Sequence, residues 1–455
     1  MAAAKAVWVH MVGIAGAGMS GIARVLSEEG YKVSGSDLQS NNTTKKLSEL
    51  GIEVFQGHSS SHVQEGIQRL VFSTAIPSNN PEIVAAREKG IPIFSRGQML
   101  AELVNKRQGI AVAGAHGKTT TTSMIYMCLD YNGFDPTFIV GGELQGSRLN
   151  ACLGQGSYAV VEADESDASF LELNPYVAVI TNIEDDHLDY YKSVENIQNA
   201  FRQYIEQVKP DGFALLYGED EFNQIIKASA KTRVITYGME PSNDYYFDNW
   251  IPEGMGSKCR VFKQGKEIGT MELAVPGQHN AINALAAIAV TLELGGSWEE
   301  ARRAIKDFRG AGRRFELIGY REGAVIIDDY AHHPTEIRVT IDAARKVHPG
   351  RIVVVFQPHR YTRTKLLGEK LGESLKEADL AIITGIYSAG ESPLEGVSGW
   401  NVYQATKNTG CRTLYLPTFA DIKEYLLQNM QEGDMIITMG AGDIWKIGRE
   451  LVENQ

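Results

Sequence analysis

Short apolar runs alternate with amphipathic stretches along nearly the whole chain. "AVWVHMV", "YKVSGSD", "RLVFSTAI" and "IPIF" read as strands, with segments of helical period between them. The pattern resumes with "GIAVAG", "YAVVEAD", "YVAVITNI", "GFALLYG" and "RVITYG". It turns more antiparallel in "CRVFKQGKEIGTMELAV", where Gln264-Gly265 sits between alternating runs as a hairpin signal. An alanine-rich helix, "HNAINALAAIAVTLELG", follows. "GAVIIDDYA", "RIVVVFQPH", "LAIITGIY" and "DMIITMGAG" then restart the alternation. Strands alternating with helices predict parallel sheets covered by helices. The polar "NKRQ" and the glycine-containing "FRGAGRRFE" mark two boundaries. They predict three tandem α/β domains: a Rossmann-like domain over 1–106, a central P-loop-type domain over 107–312 and a second Rossmann-like domain over 313–455.

Bulk properties narrow the function. A chain of 455 residues exceeds one compact core. Its net charge of -12 argues against a broad basic surface for nucleic acid, though a local cationic pocket is compatible with it. No apolar run approaches the ~20 residues of a membrane span, and "MAAAKAVWVHMVG" lacks the architecture of a signal peptide. The four cysteines are scattered without metal or redox spacing, which fits a reducing, cytoplasmic setting.

Two glycine loops carry the chemistry. Gly16, Gly18 and Gly21 follow the first strand in G-x-G-x-x-G spacing, and Asp37 ends the second strand where a ribose-binding acid belongs. Alone, this reads as a nicotinamide-dependent oxidoreductase. The second loop, Gly114-Ala115-His116-Gly117-Lys118-Thr119, lies between a strand and a helix. Unpaired N–H groups at such a helix start can cradle phosphate, with Lys118 as the cation and the Thr119 hydroxyl for Mg²⁺. It is shorter than a standard P-loop, and an ordinary glycine-capped turn would share its letters. Acids gather at two later strand ends: Glu162, Asp164, Glu165 and Asp167, then Asp185, Asp186, His187 and Asp189. Such carboxylates are costly to bury without a cation. The last section adds Asp328, Asp329, Tyr330, His332 and His333, then His359, Arg360 and Arg363. Arg360 and Arg363, three apart, are expected on one helix face, able to grip a carboxylate or phosphate.

The set "GAHGKTTTT", "EADESD", "TNIEDDHLDYY", "PGQHNAINALAA", "GAGRRFE", "DDYAHHP" and "PHRYTRT" closely resembles the Mur ligases of bacterial peptidoglycan synthesis, over essentially the whole chain. "GIAGAGMSGIA" is most similar to the alanine-adding branch. The resemblance implies an ATP- and Mg²⁺-dependent amide ligase acting on UDP-N-acetylmuramate and L-alanine through an acyl phosphate. It implies that Gly16, Gly18, Met19, Ser20, Gly21 and Asp37 hold the UDP part, so the first fingerprint would serve a uridine nucleotide. It assigns ATP to Gly114, Ala115, His116, Gly117, Lys118, Thr119, Thr120, Asn280, Asn283, Arg314 and Asp329, and metal to Thr119, Glu162 and His187. Tyr330, His332, Arg360 and Arg363 fall around the incoming amino acid. Lys118, Glu162, His187, Arg314 and His332 form the implied catalytic set. Several Mur ligases carry a carbamylated lysine where this chain has Phe201, so none is expected here. The expected state is a monomer or weak homodimer without nucleic-acid or membrane partners. Rival readings are the oxidoreductase, a P-loop switch or motor, and within the family the ligase that attaches a preformed tripeptide.

Overall fold

The computed structural model describes residues 6–145, 149–184 and 188–453. Three sheets follow in chain order. The first comprises β1 (Trp8–Val12), β2 (Lys32–Asp37), β3 (Glu53–Gln56), β4 (Arg69–Phe72) and β5 (Ile93–Ser95), parallel throughout, in the order β3-β2-β1-β4-β5. β1 has no exposed position, as a central strand covered on both faces requires.

The second sheet contains β6 (Gln108–Ala113), β7 (Thr137–Leu144), β8 (Leu149–Cys152), β9 (Tyr158–Glu162), β10 (Val177–Ile180), β11 (Phe213–Tyr217), β12 (Arg233–Gly238), β13 (Tyr245–Glu253), β14 (Gly256–Lys263) and β15 (Lys266–Leu273). Their order is β15-β14-β13-β12-β11-β10-β6-β9-β7-β8. The predicted turn is present: Gln264 and Gly265 both hold positive φ, 48° and 75°, as a two-residue hairpin turn requires.

The third sheet runs β16-β17-β21-β18-β19-β20, from β16 (Glu316–Arg321), β17 (Ala324–Asp329), β18 (Ile352–Phe356), β19 (Leu380–Ile383), β20 (Thr413–Tyr415) and β21 (Met435–Met439). Only the β16–β17 edge is antiparallel. The three α/β sheets are those the alternation predicts.

The chain packs as two compact units. Unit one holds Met1–Asp248, Val261–Gly269 and Ile282–Ile305; unit two holds Asn249–Arg260, Thr270–Ala281 and Lys306–Gln455. Within unit one, a single apolar cluster runs from Val9, Met11 and Ile22 to Ala111, Val161 and Tyr204, joining both sheets. Helix Ala17–Glu28 makes this junction. A Cβ on Gly21 would lie 3.2 Å from Ile139 Cγ2 and 3.3 Å from Ala151 Cβ, so glycine lets the helix close on β7 and β8. Unit two has an apolar cluster on each side of its sheet. No helix among the described residues is long and apolar enough to cross a membrane.

Candidate active site

The first glycine loop rises from β1. Ser36 O accepts from the N–H groups of Gly13 and Ile14, and Asp37 Oδ2 accepts from Ala15 N at 3.0 Å. Asp37 therefore fastens the loop with one oxygen. Gly16 caps helix Ala17–Glu28 without a side-chain bond. Gly16, Gly18 and Met19 line a cavity of ≈ 310 Å³ whose far wall includes Glu162 and Asp164. Ser20 lines a neighbouring cavity of ≈ 260 Å³ and accepts from Asn150 Nδ2 at 3.1 Å. Gly21 lines neither; its open face serves packing.

The second loop is clamped from the next strand. Asn182 accepts from Ala115 N through its backbone oxygen and from His116 N through its side chain, both at 2.9 Å. Thr181 Oγ1 donates to His116 O at 2.7 Å. The amides of Ala115 and His116 are thus spoken for. The ones left to face an anion belong to Gly117 and the first turn, Lys118 to Thr120, which the helix ladder cannot satisfy. Gly117 stands at φ 80°, and a Cβ there would lie 2.8 Å from Asn283 Oδ1, bringing Asn283 against the loop. The His116 ring lies 3.2 Å from the Glu184 carboxylate.

Lys118 Nζ donates to Glu165 Oε1 and Gly114 O, both at 2.6 Å. Burial works against its charge, but Glu165, Glu162 and Asp164 outweigh burial and hold its pKa above the usual lysine value. Thr119 Oγ1 lies 3.1–3.2 Å from both oxygens of Glu162, which also accepts from Gly141 N at 3.1 Å. A hydroxyl and a carboxylate held together beside a glycine-cradled helix start are a hard-oxygen donor set, and they fit Mg²⁺ with nucleotide phosphate. His187, with Asp185 and Asp186, lies outside the described residues. Phe201 is buried against Phe170, 5.2 Å between ring centroids, in helix Val194–Glu206. Lys209 Nζ donates to Arg107 O.

Unit two gathers the remaining residues. Arg313 and Arg314 both lie over the Tyr330 ring, at 5.1 Å and 5.0 Å, but their polar contacts differ. Arg313 bonds Asp328 at 2.8 Å and the carbonyls of Gly440 and Gly442, which makes it a framework residue. Arg314 lies over the Tyr330 ring at 5.0 Å and 3.4 Å from Glu336. Asp329 is buried, and its oxygens accept from Phe315 N, Ala331 N and Thr340 Oγ1. Burial raises its pKa to about 6 despite Arg314 and those bonds. It ties the 314–331 segment together. Asn280 Nδ2 donates to Pro276 O.

Tyr330, His332 and His359 form a ring cluster, with centroids 5.3 Å and 5.7 Å apart, and Tyr387 stacks on His359. Burial, reinforced by nearby arginines, lowers His332 to about 4 and His359 to about 3, so both rings are neutral at pH 7. Arg360 does not share a helix face with Arg363. It precedes helix Tyr361–Ser374 at φ 67°, a strained backbone for a non-glycine residue, with its N–H bonded to Tyr387 O. The expectation of one shared face fails because the helix begins a residue later.

Asn182, Thr181 and Arg96 escaped the sequence reading. Asn182 and Thr181 are distant from the loop they hold. Arg96 follows β5 and lies in none of the motifs that the sequence singles out.

Three family models match the chain: the Mur ligase family catalytic domain over residues 8–108, the Mur ligase middle domain over 112–291 and the Mur ligase glutamate ligase domain over 313–442. UDP-N-acetylmuramate–L-alanine ligase of Syntrophomonas wolfei is 62% identical over 98% of this chain and 97% of its own. The enzyme of that name from Desulforamulus reducens is 49% identical over the same shares. Among solved structures, UDP-N-acetylmuramate-alanine ligase of Thermotoga maritima superposes with a TM-score of 0.85 at 31% identity, covering 98% of both chains. A murein peptide ligase from Psychrobacter arcticus gives 0.73 at 26% identity, again over 98% of both. Matched by family models within residues 8–442 and by a relative over 98% of its length, the chain belongs to the Mur ligase family.

Proposed function

We infer that this chain is an ATP-dependent ligase that joins L-alanine to the carboxylate of UDP-N-acetylmuramate, releasing ADP and phosphate. One observation supports this above the others. Glu162 lines the cavity that begins at the first glycine loop, and its carboxylate also touches Thr119 of the second. A nucleotide-sugar held by the first loop would present its far end where the second loop holds the terminal phosphate of ATP. A carboxylate is a poor electrophile. Attack on the γ-phosphate converts it to an acyl phosphate, and the alanine amine then displaces phosphate through a tetrahedral intermediate.

That first step brings an anion onto a polyanion, so positioned positive charge governs it. Lys118 supplies a cation at the loop, and Arg314 is proposed as a second at the phosphates. Thr119 and Glu162, with His187, would hold Mg²⁺, which when bound offsets phosphate charge. Arg360 and Arg363 are proposed to bind the carboxylate of alanine, beside Tyr330 and His332. His332 Nδ1 lies 3.0 Å from Tyr330 O, which can only accept, so Nδ1 carries the proton and Nε2 is left as an acceptor. With its pKa lowered to about 4, this ring is too weak a base to take the ammonium proton efficiently, and it serves to orient the amine.

The tripeptide-attaching ligase is the second reading, since a murein peptide ligase shares the fold. Higher identity and TM-score favour the alanine enzyme. The test is ADP release with UDP-N-acetylmuramate, offering alanine, serine, glycine and a preformed tripeptide in turn. Turnover with alanine supports the reading; turnover with the tripeptide alone overturns it.

A further inference from the structure

Helix Tyr361–Ser374 begins without a cap of its own. Its N-cap position holds Arg360, which makes no side-chain cap bond and stands at φ 67°. A serine, threonine, asparagine or aspartate there would satisfy the helix start locally and without that strain. The missing acceptor comes instead from a distant loop. Glu391 Oε2 accepts from Thr362 N at 3.0 Å, and Glu391 Oε1 accepts from Thr362 Oγ1 at 2.6 Å, across 29 residues of sequence. Burial works against the Glu391 charge, but the bonds from Thr362 and the nearby charge of Arg360 outweigh it and hold the carboxyl below the usual glutamate value. A carboxylate also suits the positive end of a helix.

The loop that carries Glu391 is strained in its turn. Glu391 N donates to Ser388 O at 3.0 Å, closing a turn whose central residues, Ala389 and Gly390, both hold positive φ, 49° and 88°. Type I′ turns require this, and glycine takes it freely where alanine does not. Two backbone bonds complete the junction: Tyr387 N donates to Pro358 O at 2.9 Å, and Arg360 N donates to Tyr387 O at 2.8 Å. Four hydrogen bonds therefore clip the 358–362 segment to the 387–391 segment, and each segment contains a strained non-glycine residue. Such strain persists where the geometry it secures is used. Thr362, the residue that Glu391 grips twice, lies between Arg360 and Arg363.

We propose that Glu391 is a positioning residue for amino-acid binding: it fixes Thr362, and through that backbone it sets Arg360 and Arg363 for the carboxylate of the incoming amino acid. This rests on the ligase reading above and on its assignment of the two arginines. Glu391 acts through the helix start, not on the substrate. It takes the place of a local cap, which leaves the cap position itself to an arginine.

The test is initial-rate kinetics of the full chain with each substrate varied in turn. Glu391→Ala raises the KM for alanine by roughly 10-fold or more, as loss of a charge-assisted hydrogen bond does. Turnover at saturating alanine and the KM values for ATP and UDP-N-acetylmuramate do not follow it. Glu391→Gln offers its oxygen to Thr362 N and its amide to Thr362 Oγ1, so it recovers most of the loss. Thr362→Val, which disturbs the loop least, keeps the N–H and loses the hydroxyl, and its KM for alanine falls between. In an Arg360→Ala background, Glu391→Ala adds less than its own factor, because residues that act through one another are not additive. If Glu391 merely stabilises the fold, its variants lower kcat with the folded fraction and leave every KM alone, and the proposal falls. It falls also if the effects of Glu391→Ala and Arg360→Ala multiply in full. Glu391→Ala and Glu391→Gln that both lower the KM for alanine would overturn it too, since Glu391 would then act by repelling the substrate carboxylate. A wild-type chain that does not turn over alanine overturns the ligase reading itself, whereas wild-type turnover with unaffected Glu391 variants overturns this assignment alone.

Discussion

Replacing Lys118 with methionine separates the phosphate role proposed for its ammonium group from the ion pair that the structure gives it. The apolar stem is kept and the charge is lost. For turnover, the lost group is the proposed electrostatic stabiliser at the phosphates, worth about 10²–10³-fold in rate, or about 2.7–4 kcal/mol. For stability, the loss removes the cation 2.6 Å from Glu165, in a pair whose side chains are only 15% and 5% exposed. Breaking a buried pair from one side costs about 3–5 kcal/mol, and the lower end applies because Lys118 retains some solvent. Adding Glu165→Gln removes the stranded charge, so the double variant recovers most of that stability and none of the turnover. Urea midpoints of wild type, single and double variants, read beside ADP release, resolve the two effects. UDP-N-acetylmuramate affinity, proposed to be set at the other glycine loop, is expected to stay near wild type throughout. A Lys118→Met enzyme that kept a tenth of its rate would refute the phosphate role. A double variant no more stable than the single would refute the ion-pair account.

Arg360→Ala or Arg363→Ala is expected to raise the KM for alanine by roughly 30-fold or more and leave that for ATP unchanged; a rise for ATP instead would move these arginines to the nucleotide site. On acidification, His332 and His359 resist protonation down to about 4 and about 3, against 6.5 in the unfolded chain. Their contribution is whole above pH 6.5 and is lost as pH falls toward 4, by about 3 kcal/mol for His332. Asp329, raised from 3.8 to about 6, runs the other way, its contribution whole below pH 3.8 and gone above about 6. Stability measured from pH 7 to 4 in His332→Gln therefore falls less steeply than in wild type, and an identical slope would contradict the burial assigned to that ring. Turnover in CO₂-depleted buffer is expected to match that with added bicarbonate, because the family resemblance puts Phe201 where a modified lysine would stand; loss on depletion, restored by bicarbonate, would mean that Lys192 or Lys209 takes that role.

The three-sheet architecture was legible because buried parallel strands leave continuous apolar runs such as "RIVVVF", and the second glycine loop was legible because strand, glycines and helix are contiguous. Gly21 shows where the letters mislead. A glycine needed for phosphate approach and one needed for helix-to-sheet packing look identical in a fingerprint, and only Ile139 and Ala151 at 3.2–3.3 Å tell them apart. Asp329 shows the same ambiguity in an acid, since its oxygens organise a loop as readily as they would meet a ribose. The Arg360–Arg363 spacing suggested one helix face, but the strained backbone at Arg360 depends on pairing with Tyr387, 27 residues away, which no local pattern records. Arg96 and Asn182 were missed for the same reason: each acts on residues more than sixty positions distant.

The clamp that Thr181 and Asn182 place on the second loop bears on the thermodynamics of nucleotide capture. Two amides and a carbonyl of that loop are already fixed by the end of β10, and the core behind that strand is closed. The conformational entropy of this segment is thus surrendered when the protein folds, not when ATP arrives. Nucleotide binding at the loop, as proposed, is then expected to be a rigid docking event with a small heat-capacity change. Any large negative heat-capacity change seen across the catalytic cycle must originate in apolar surface buried elsewhere in the molecule.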